Sequence, residues 1–463
     1  MAMIVKKPIL VAGIGISFVL WLGESLHQEL VNVGEWGVIS AIAMGSGFWW
    51  WKNRHKSDNK PQKVPSLTLE TVKASITEVE TTLQVLATES PESDLSEFKQ
   101  QLNQLSTSFE RQDLNIAITG GKNVGKTTLL KVLKPKNIAN NISFIETEPL
   151  FINTETPQIN ADIIIFLITG DLTNSQWEFL QNCYQNYQRC VLVFNKQDQY
   201  IPEERGLILS QIQQRITPII NTIDIISISS GSYNVKVRQH QADGTIKEWN
   251  ETQDPDVKLL CDRLKFILNK ERELLVLGTI WREAKTLKQT IKNQLNLVRR
   301  ERAIPIIEQY QWIAAATAFA NPVAALDLLA TVAISTQMVV DLSEVYQQKF
   351  SLEQGQTLAG TMGKLMVQLG LVELSTNTIA GLLKSNAVTY IAGGTVQGIS
   401  AAYLTRLAGL SLIEYWEEQD IINSSKNAID LEKFSTKLKE VFNQNQRGIL
   451  LQNFVKQGMV RFT

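Results

Sequence analysis

LNIAITGGKNVGKTTLLKVL, residues 114–133, decides the fold of this chain. An apolar run, a glycine-containing loop and a second run with helical spacing follow one another directly. Gly120, Gly125, Lys126 and Thr127 satisfy G-x-x-x-x-G-K-[ST] within the stretch Gly120, Gly121, Lys122, Asn123, Val124, Gly125, Lys126, Thr127 and Thr128. In this motif backbone N–H groups cradle phosphates, the lysine reaches the β and γ phosphates, and the last hydroxyl holds Mg2+. These residues are the expected phosphate site, with Thr127 the expected magnesium ligand.

Working downstream, apolar strands are expected at 161–170, 189–198 and 223–230, separated by helical stretches near 174–187 and 204–219. Strand and helix in alternation, with almost unbroken apolar strands, indicate a parallel sheet covered on both faces. The strand at 189–198 ends in Asn195, Lys196, Gln197 and Asp198. NKxD at the carboxyl end of a sheet strand lies where ligands bind in such folds. Residues 234–249 alternate around Asp243 and Gly244, as a β-hairpin does.

The order of phosphate loop, NKxD and a following SISSG segment resembles the translation-factor-related GTPases, among them Ras, Era and dynamin. The resemblance implies GTP or GDP with Mg2+ as ligands. It implies that Asp198 accepts hydrogen bonds from guanine, Asn195 contacts the base, Lys196 stacks over it, and Ser229 and Ser230 support it. Against that pattern FIETEPLF, residues 144–151, is anomalous. The family carries DxxG here, yet no glycine occurs between Lys126 and Gly170. Glu146 is the best match to the family's aspartate and a candidate for catalysis and for Mg2+. Pro149 is the more serious change, because proline has no N–H to donate to a γ phosphate. Only about 20 residues separate Lys126 from Glu146, leaving little room for the family's switch loop and additional strand. The expectation is a degenerate switch that binds nucleotide and hydrolyses it slowly or only with a partner.

Upstream, residues 9–23 and 36–51 carry no charge, and Lys6, Lys7, Lys52, Arg54 and Lys56 flank them while the intervening loop holds only acidic charges. This positive-inside pattern predicts a transmembrane hairpin over 1–56 with both ends cytoplasmic, Trp49, Trp50 and Trp51 sitting at the interface. A polar linker follows. Two seams, Leu69 to Leu86 and Leu95 to Phe109, predict a helical stalk within 57–112 with Ser90 and Pro91 opening the second helix. The stalk is read either as packing on the next domain or as pairing with a second copy.

The nucleotide domain is expected over 113–270 and a long connecting helix over 271–304, whose basic side of Lys285, Lys288, Lys292, Arg299, Arg300 and Arg302 is a candidate for anionic lipid head groups. After Pro305 the chain turns small and apolar. Residues 312–340 and 378–404 each carry one charge, Asp327 and Lys384, and Gly394 and Gly398 permit close helix approach. Such a pattern fits either a membrane-embedded domain or a buried helical core. Residues 305–463 resemble the YcjF-type domain of unknown function of bacterial inner-membrane proteins, fused to GTPase domains in cyanobacterial relatives.

The expected fold class is thus an α/β P-loop domain joined to an all-α, partly membrane-associated C-terminal domain and an N-terminal transmembrane hairpin. A formal charge of -1 gives no reason to expect nucleic acid. Three cysteines and three histidines, widely spaced, point to neither a zinc site nor a disulfide framework. Three functions stay open. The first is a GTP-binding protein on a bacterial inner or thylakoid membrane whose nucleotide state is coupled to its C-terminal helices, with a lipid bilayer, a second copy or an activating protein as partners. The second is an inactive pseudo-GTPase serving as a scaffold, and the third a pore or transport component resting on Asp327 and Lys384.

Overall fold

The strands β1 (Leu114–Gly120), β2 (Ile142–Glu146), β3 (Ile163–Ile168), β4 (Arg189–Phe194) and β5 (Ile225–Ser227) form a sheet of order β2-β1-β3-β4-β5, parallel throughout. The computed structural model describes residues 65–463 apart from 137, 140, 153–158, 241–245, 321–323, 349, 386–392, 420–428, 446–447 and 463. The transmembrane hairpin expected over 1–56 therefore lies outside the described residues, as do the side chains of Asp327 and Lys384.

Alternation along β3 shows why the central strands are so apolar. Ile163, Ile165 and Leu167 belong to one core, and Ile164, Phe166 and Ile168 to the core on the opposite face. Successive side chains of a strand point to opposite sides, so a strand covered on both faces has no position for a polar residue. The first face is covered by α3 (Lys126–Leu133), through Leu129 and Leu133, and by α6 (Lys258–Lys270), through Leu260, Leu264 and Ile267. The second is covered by α4 (Asn174–Gln185), through Phe179 and Leu180, and α5 (Pro202–Ile216), through Ile212 and Ile216. Cys183, Cys190 and Cys261 are buried free thiols. A separate ribbon, β6 (Tyr233–His240) with β7 (Ile246–Gln253), pairs antiparallel, matching the expected hairpin, though its turn lies outside the described residues.

The expected stalk forms α1 (Leu69–Glu89) and α2 (Ser96–Thr107). Its seam does not wait for a second copy: Val72, Ile76, Val79, Leu83 and Leu86 are buried in the same core as the sheet's first face. Ser90 closes α1 rather than opening α2, its N–H donating to Leu86 O at 2.8 Å, and the second helix begins only at Ser96, whose N–H is held by Asp94 Oδ1 at 2.9 Å.

Beyond α6 the helix α7 (Arg272–Ala320) runs through Pro305. The composition shift at that proline therefore coincides with no helix end. The remaining helices are α8 (Ala324–Val345), α9 (Leu352–Gln368), α10 (Leu371–Ser385), α11 (Gly393–Glu418), α12 (Leu431–Asn445) and α13 (Gly448–Phe462). They build a second core around Ile307, Met338, Leu342, Ile399, Leu407 and Phe434. The small residues permit close approach here between helices of one chain: a Cβ on Gly409 of α11 would lie 2.7 Å from Ile307 Cγ1 of α7. No single described helix is long and apolar enough to cross a membrane. Among the described residues, only the pair Leu352–Gln368 and Leu371–Leu383, bent by 67°, meets that measure together.

The basic side of α7 also has a different use from the lipid contact expected for it. Lys288 pairs with Glu78 at 2.9 Å, Arg299 and Arg302 with Glu89, and Arg300 with Glu414 and Glu417 at 3.6 Å. Lys285 donates to Asn186 and Lys292 to Glu418 O. Lys288, Lys292, Arg299, Arg300 and Arg302 thus hold α7 to α1 and α11, and Lys285 holds it to the residue after α4. The Arg299–Glu89 pair is the most enclosed, with side chains 6% and 8% exposed, and the Arg299 guanidinium also stands over the Tyr346 ring.

Removing one partner of a buried pair leaves the other charge uncompensated and costs about 3–5 kcal/mol, whereas an exposed pair is worth about 1 kcal/mol or less. Glu89→Ala is expected to lower the urea denaturation midpoint clearly, and Glu78→Ala to leave it nearly unchanged. Equal shifts would show that the Glu89 pair is no better shielded than a surface one.

Candidate functional site

Topology puts the site at the carboxyl edge of the sheet. The strand order reverses direction between β1 and β3, and such a switch point opens a crevice beyond the strand ends. The loop leaving β1 fills it. Val124, buried, pins the loop to the core, and Asn123 and Gly125 take positive φ of 60° and 94°. Gly125 then starts α3, whose first N–H groups have no partner within the helix and favour an anion.

Lys126 is 6% exposed. Its Nζ donates to Gly121 O at 2.8 Å and to Gly120 O at 3.2 Å. Burial lowers the ammonium's pKa, and nearby Glu146 opposes that shift. The next residue, Thr127, donates its hydroxyl to Glu146 Oε1 at 2.6 Å. Glu146 ends β2 opposite Ile118 of β1, and this register brings its carboxylate to the start of α3. Two oxygens of the hard kind that would suit Mg2+ therefore meet beside the glycine loop. The structure joins the expected pair without the aspartate the family uses.

FIETEPLF continues from there as a tightly held segment. Thr147 N donates to Ile118 O at 3.1 Å and Leu150 N to Gly120 O at 3.0 Å. The Thr147 hydroxyl reaches Thr119 Oγ1 at 2.7 Å. Leu150 is buried, and Phe151 packs edge-on to Phe166 and Phe179 with centroids 6.4 and 6.3 Å away. Pro149 has no N–H, and the Glu148 N–H has no acceptor among the described residues. Outside β2 no antiparallel strand is added among the described residues, in keeping with the short interval after Lys126.

At the other end of the crevice Asn195 follows β4 and is wholly buried. Its amide Nδ2 donates to Val124 O at 2.7 Å and to Ser230 Oγ at 2.9 Å, and Oδ1 accepts from Ser230 N at 3.0 Å. Both polar atoms of this side chain are thus bonded within the protein. The side chain rivets the phosphate loop to the segment holding Ser229 and Ser230, both buried. Lys196 takes a left-handed conformation with φ of 61° and is half-buried. Asp198 lies in a short 3-10 turn, also half-buried, and makes no hydrogen bond or ion pair with any described residue. An unpaired carboxylate beside two fixed serines is suited to read N–H donors on a planar base.

The sequence reading missed Thr119 and Leu150, whose contacts join β1 to the segment after β2, and Asp256, which approaches Gln197 and Ser229 from beyond the hairpin. A cleft of about 670 Å3 between α2 and α7, lined by residues such as Gln104, Arg111, Arg282 and Thr290, lies away from this edge.

Comparison with known proteins adds the following. Residues 282–447 match the model of a domain of unknown function, DUF697. No curated protein matches the chain. Among solved structures it is similar to LeoA, a bacterial dynamin GTPase from ETEC, at 12% identity and a TM-score of 0.22, over 85% of this chain and 98% of that one. A second similar structure, described as an oligomerised bacterial dynamin pair that provides a mechanism for long-range sensing and tethering of membranes, matches at 13% identity and a TM-score of 0.23 over 82% of this chain and 81% of that one. Likeness at that level leaves function to be argued from the site's own geometry.

Gly125 cannot take a side chain without disturbing this rivet, because a Cβ there would lie 2.4 Å from Asn195 Nδ2 and its φ is positive. The left-handed backbone alone costs a non-glycine residue about 1–3 kcal/mol. Gly125→Ala is expected to lower the thermal midpoint and to separate the loop from Asn195, seen as faster amide hydrogen exchange at Ser230. Unchanged exchange at Ser230 would show that the rivet is not needed.

Proposed function

We propose that this chain is a guanine-nucleotide-binding protein whose site is complete for binding and incomplete for hydrolysis. The observation that carries the proposal is the Asn195 side chain, which joins the phosphate loop to the base segment and so makes one site of two motifs distant in sequence. The phosphate loop and Lys126 bind the phosphates, phosphate oxygens taking the place of the Gly120 and Gly121 carbonyls at Nζ. Thr127 and Glu146 hold Mg2+, which when bound neutralises phosphate charge. Asp198 accepts from the base, Lys196 lies over it, and Ser229 and Ser230 fix its edge.

Hydrolysis is slow because positioned donors and a positioned water supply most of the rate in phosphoryl transfer. FIETEPLF offers little of either: Thr147 and Leu150 donate inward and Pro149 does not donate. A partner that supplies the missing charge would accelerate the reaction. Coupling of nucleotide state to the helical region runs through α7, which belongs to both cores. The apolar segments 9–23 and 36–51 support a bacterial membrane as the location.

A second reading, a pseudo-GTPase scaffold, is favoured by one feature: the phosphate loop satisfies itself, with Lys126 and Leu150 N both on the Gly120 carbonyl.

Equilibrium binding of GTP, GDP and ATP to the purified chain, with phosphate release followed in the same samples, decides between the readings. Guanine-selective binding with negligible turnover is expected. Lys126→Ala and Asp198→Asn should each weaken it about 10- to 100-fold, the worth of one hydrogen bond to a charged group. Glu146→Gln should raise the Mg2+ concentration needed for GTP binding. Equal ATP binding would refute the base assignment, failure to bind any nucleotide would favour the scaffold, and rapid turnover would refute the role given to Pro149.

A further inference from the structure

The ribbon β6–β7 leaves the base segment just after Ser230 and returns at Asp256, and its two roots are stapled together. Ser229 N donates to Asp256 O at 3.1 Å, an isolated antiparallel bridge. The carboxylate of the same residue turns the other way, Asp256 Oδ2 accepting from Gln197 Nε2 at 3.3 Å. Gln197 is the variable position of NKQD, between Lys196 and Asp198, and its own N–H donates to Ile228 O at 3.2 Å. Asp256 therefore touches both segments assigned to the base, one by its main chain and the other by its side chain. It is itself held in place from below, because Val257 and Leu260, at the start of α6, are buried in the core.

The turn Gln197–Gln199 has few other restraints. Gln199 N donates to Lys196 O and Tyr200 N to Gln197 O, both within the turn; beyond the Gln197 contacts it is Tyr200 that reaches outside, its hydroxyl bonded to Thr169 O at 2.6 Å and its carbonyl accepting from Arg205 Nε at 2.8 Å. A short turn bearing an unpaired carboxylate needs an external brace if that carboxylate is to keep a set distance from Ser229.

We infer that Asp256 is a positioning residue for the base, acting through Gln197 and Ser229 to fix the separation between the Asp198 carboxylate and the serine segment. The inference rests on the guanine-nucleotide reading above and deepens it, assigning part of the base selectivity to the root of the ribbon. Asp256 touches no nucleotide. Its effect appears where a hydrogen-bond pattern is read, not where phosphate is held.

The test uses the full chain and fluorescent GDP, with dissociation rates measured for the wild type, Asp256→Ala, Asp256→Asn, Gln197→Ala and the Gln197→Ala/Asp256→Ala double variant. Competition by GDP and IDP is measured in parallel, since IDP lacks the 2-amino group that Asp198 would bind. Loss of the brace should raise the dissociation rate about three- to tenfold in Asp256→Ala and in Gln197→Ala, no further in the double variant, and lower the preference for GDP over IDP by a similar factor. Asp256→Asn, which keeps an acceptor oxygen and the main-chain contact, should restore both quantities to within about twofold of wild type. A folded Asp256→Ala protein with unchanged dissociation and preference would overturn the inference, as would equal weakening of GDP and IDP or additive effects in the double variant. Wild-type protein that binds neither nucleotide would fail the guanine reading itself, a result distinct from all of these because every variant would then be silent.

Discussion

The structure depends on α7 being one helix with a place in two cores. At about 1.5 Å per residue its 49 residues span roughly 70 Å. Leu275, Ile280, Leu287, Ile291 and Leu295 close the core under the sheet, and Ala303, Ile307 and Ala315 lie in the core of the helical region. Its first turns are fastened by Asp162, at the start of β3, which accepts from Thr279 of α7 at 2.7 Å and from Asn115 N of β1 at 2.7 Å. Further along, Glu89 holds Arg299 and Arg302. An interior proline removes a helix hydrogen bond and costs about 3 kcal/mol. The helix nevertheless continues through Pro305 because Ala303 and Ile307, on either side, are wholly buried. Tertiary packing there outweighs local propensity. The sheet domain and the helical region are thus joined by packed, ion-paired helix rather than by a flexible linker.

What was legible in the sequence follows from how local the determining physics is. Strands covered on both faces must be continuous apolar runs, so β3 and β4 could be read directly. The phosphate loop was legible because its glycines and Lys126 lie within a few residues of one another. The basic side of α7 was not, since charge alone does not name its partner, and Glu78, Glu89, Glu414 and Glu417 come from distant parts of the chain. Ser90 before Pro91 is a pattern that opens helices, yet the Ser90 N–H is used to close α1. Small and apolar helices suit a bilayer and a protein core equally by composition. The contact of Gly409 with Ile307 is a property of packing and not of composition.

The site shows the same division at finer scale. Which residues gather there could be expected from NKQD and SISSG, but the role of Asn195 depends on depth. A buried amide is stable only when its donors and acceptor are satisfied. Val124 O, Ser230 Oγ and Ser230 N satisfy it from inside the protein. Exposure then separates Asn195 from Asp198: one amide holds the loops, and the other residue's carboxylate remains available to a ligand.

FIETEPLF, read with its contacts, limits where a nucleotide signal can arise. A switch segment needs two arrangements of similar free energy and a ligand that favours one of them. Leaving the observed arrangement would break the Thr147–Ile118 and Leu150–Gly120 backbone bonds and expose Leu150. At about 1 kcal/mol for each bond and about 2 kcal/mol for the side chain, the cost is about 4 kcal/mol. Against it, in the proposed site, the segment would offer a γ phosphate the N–H of Glu148, which has no acceptor among the described residues, a bond worth about 1–3 kcal/mol when charge-assisted. On the guanine-nucleotide reading proposed above, that balance would leave the segment where it is with either GTP or GDP, and the site would report occupancy rather than the number of phosphates. The parts of the proposed site without such a clamp are Lys126 and the turn carrying Asp198.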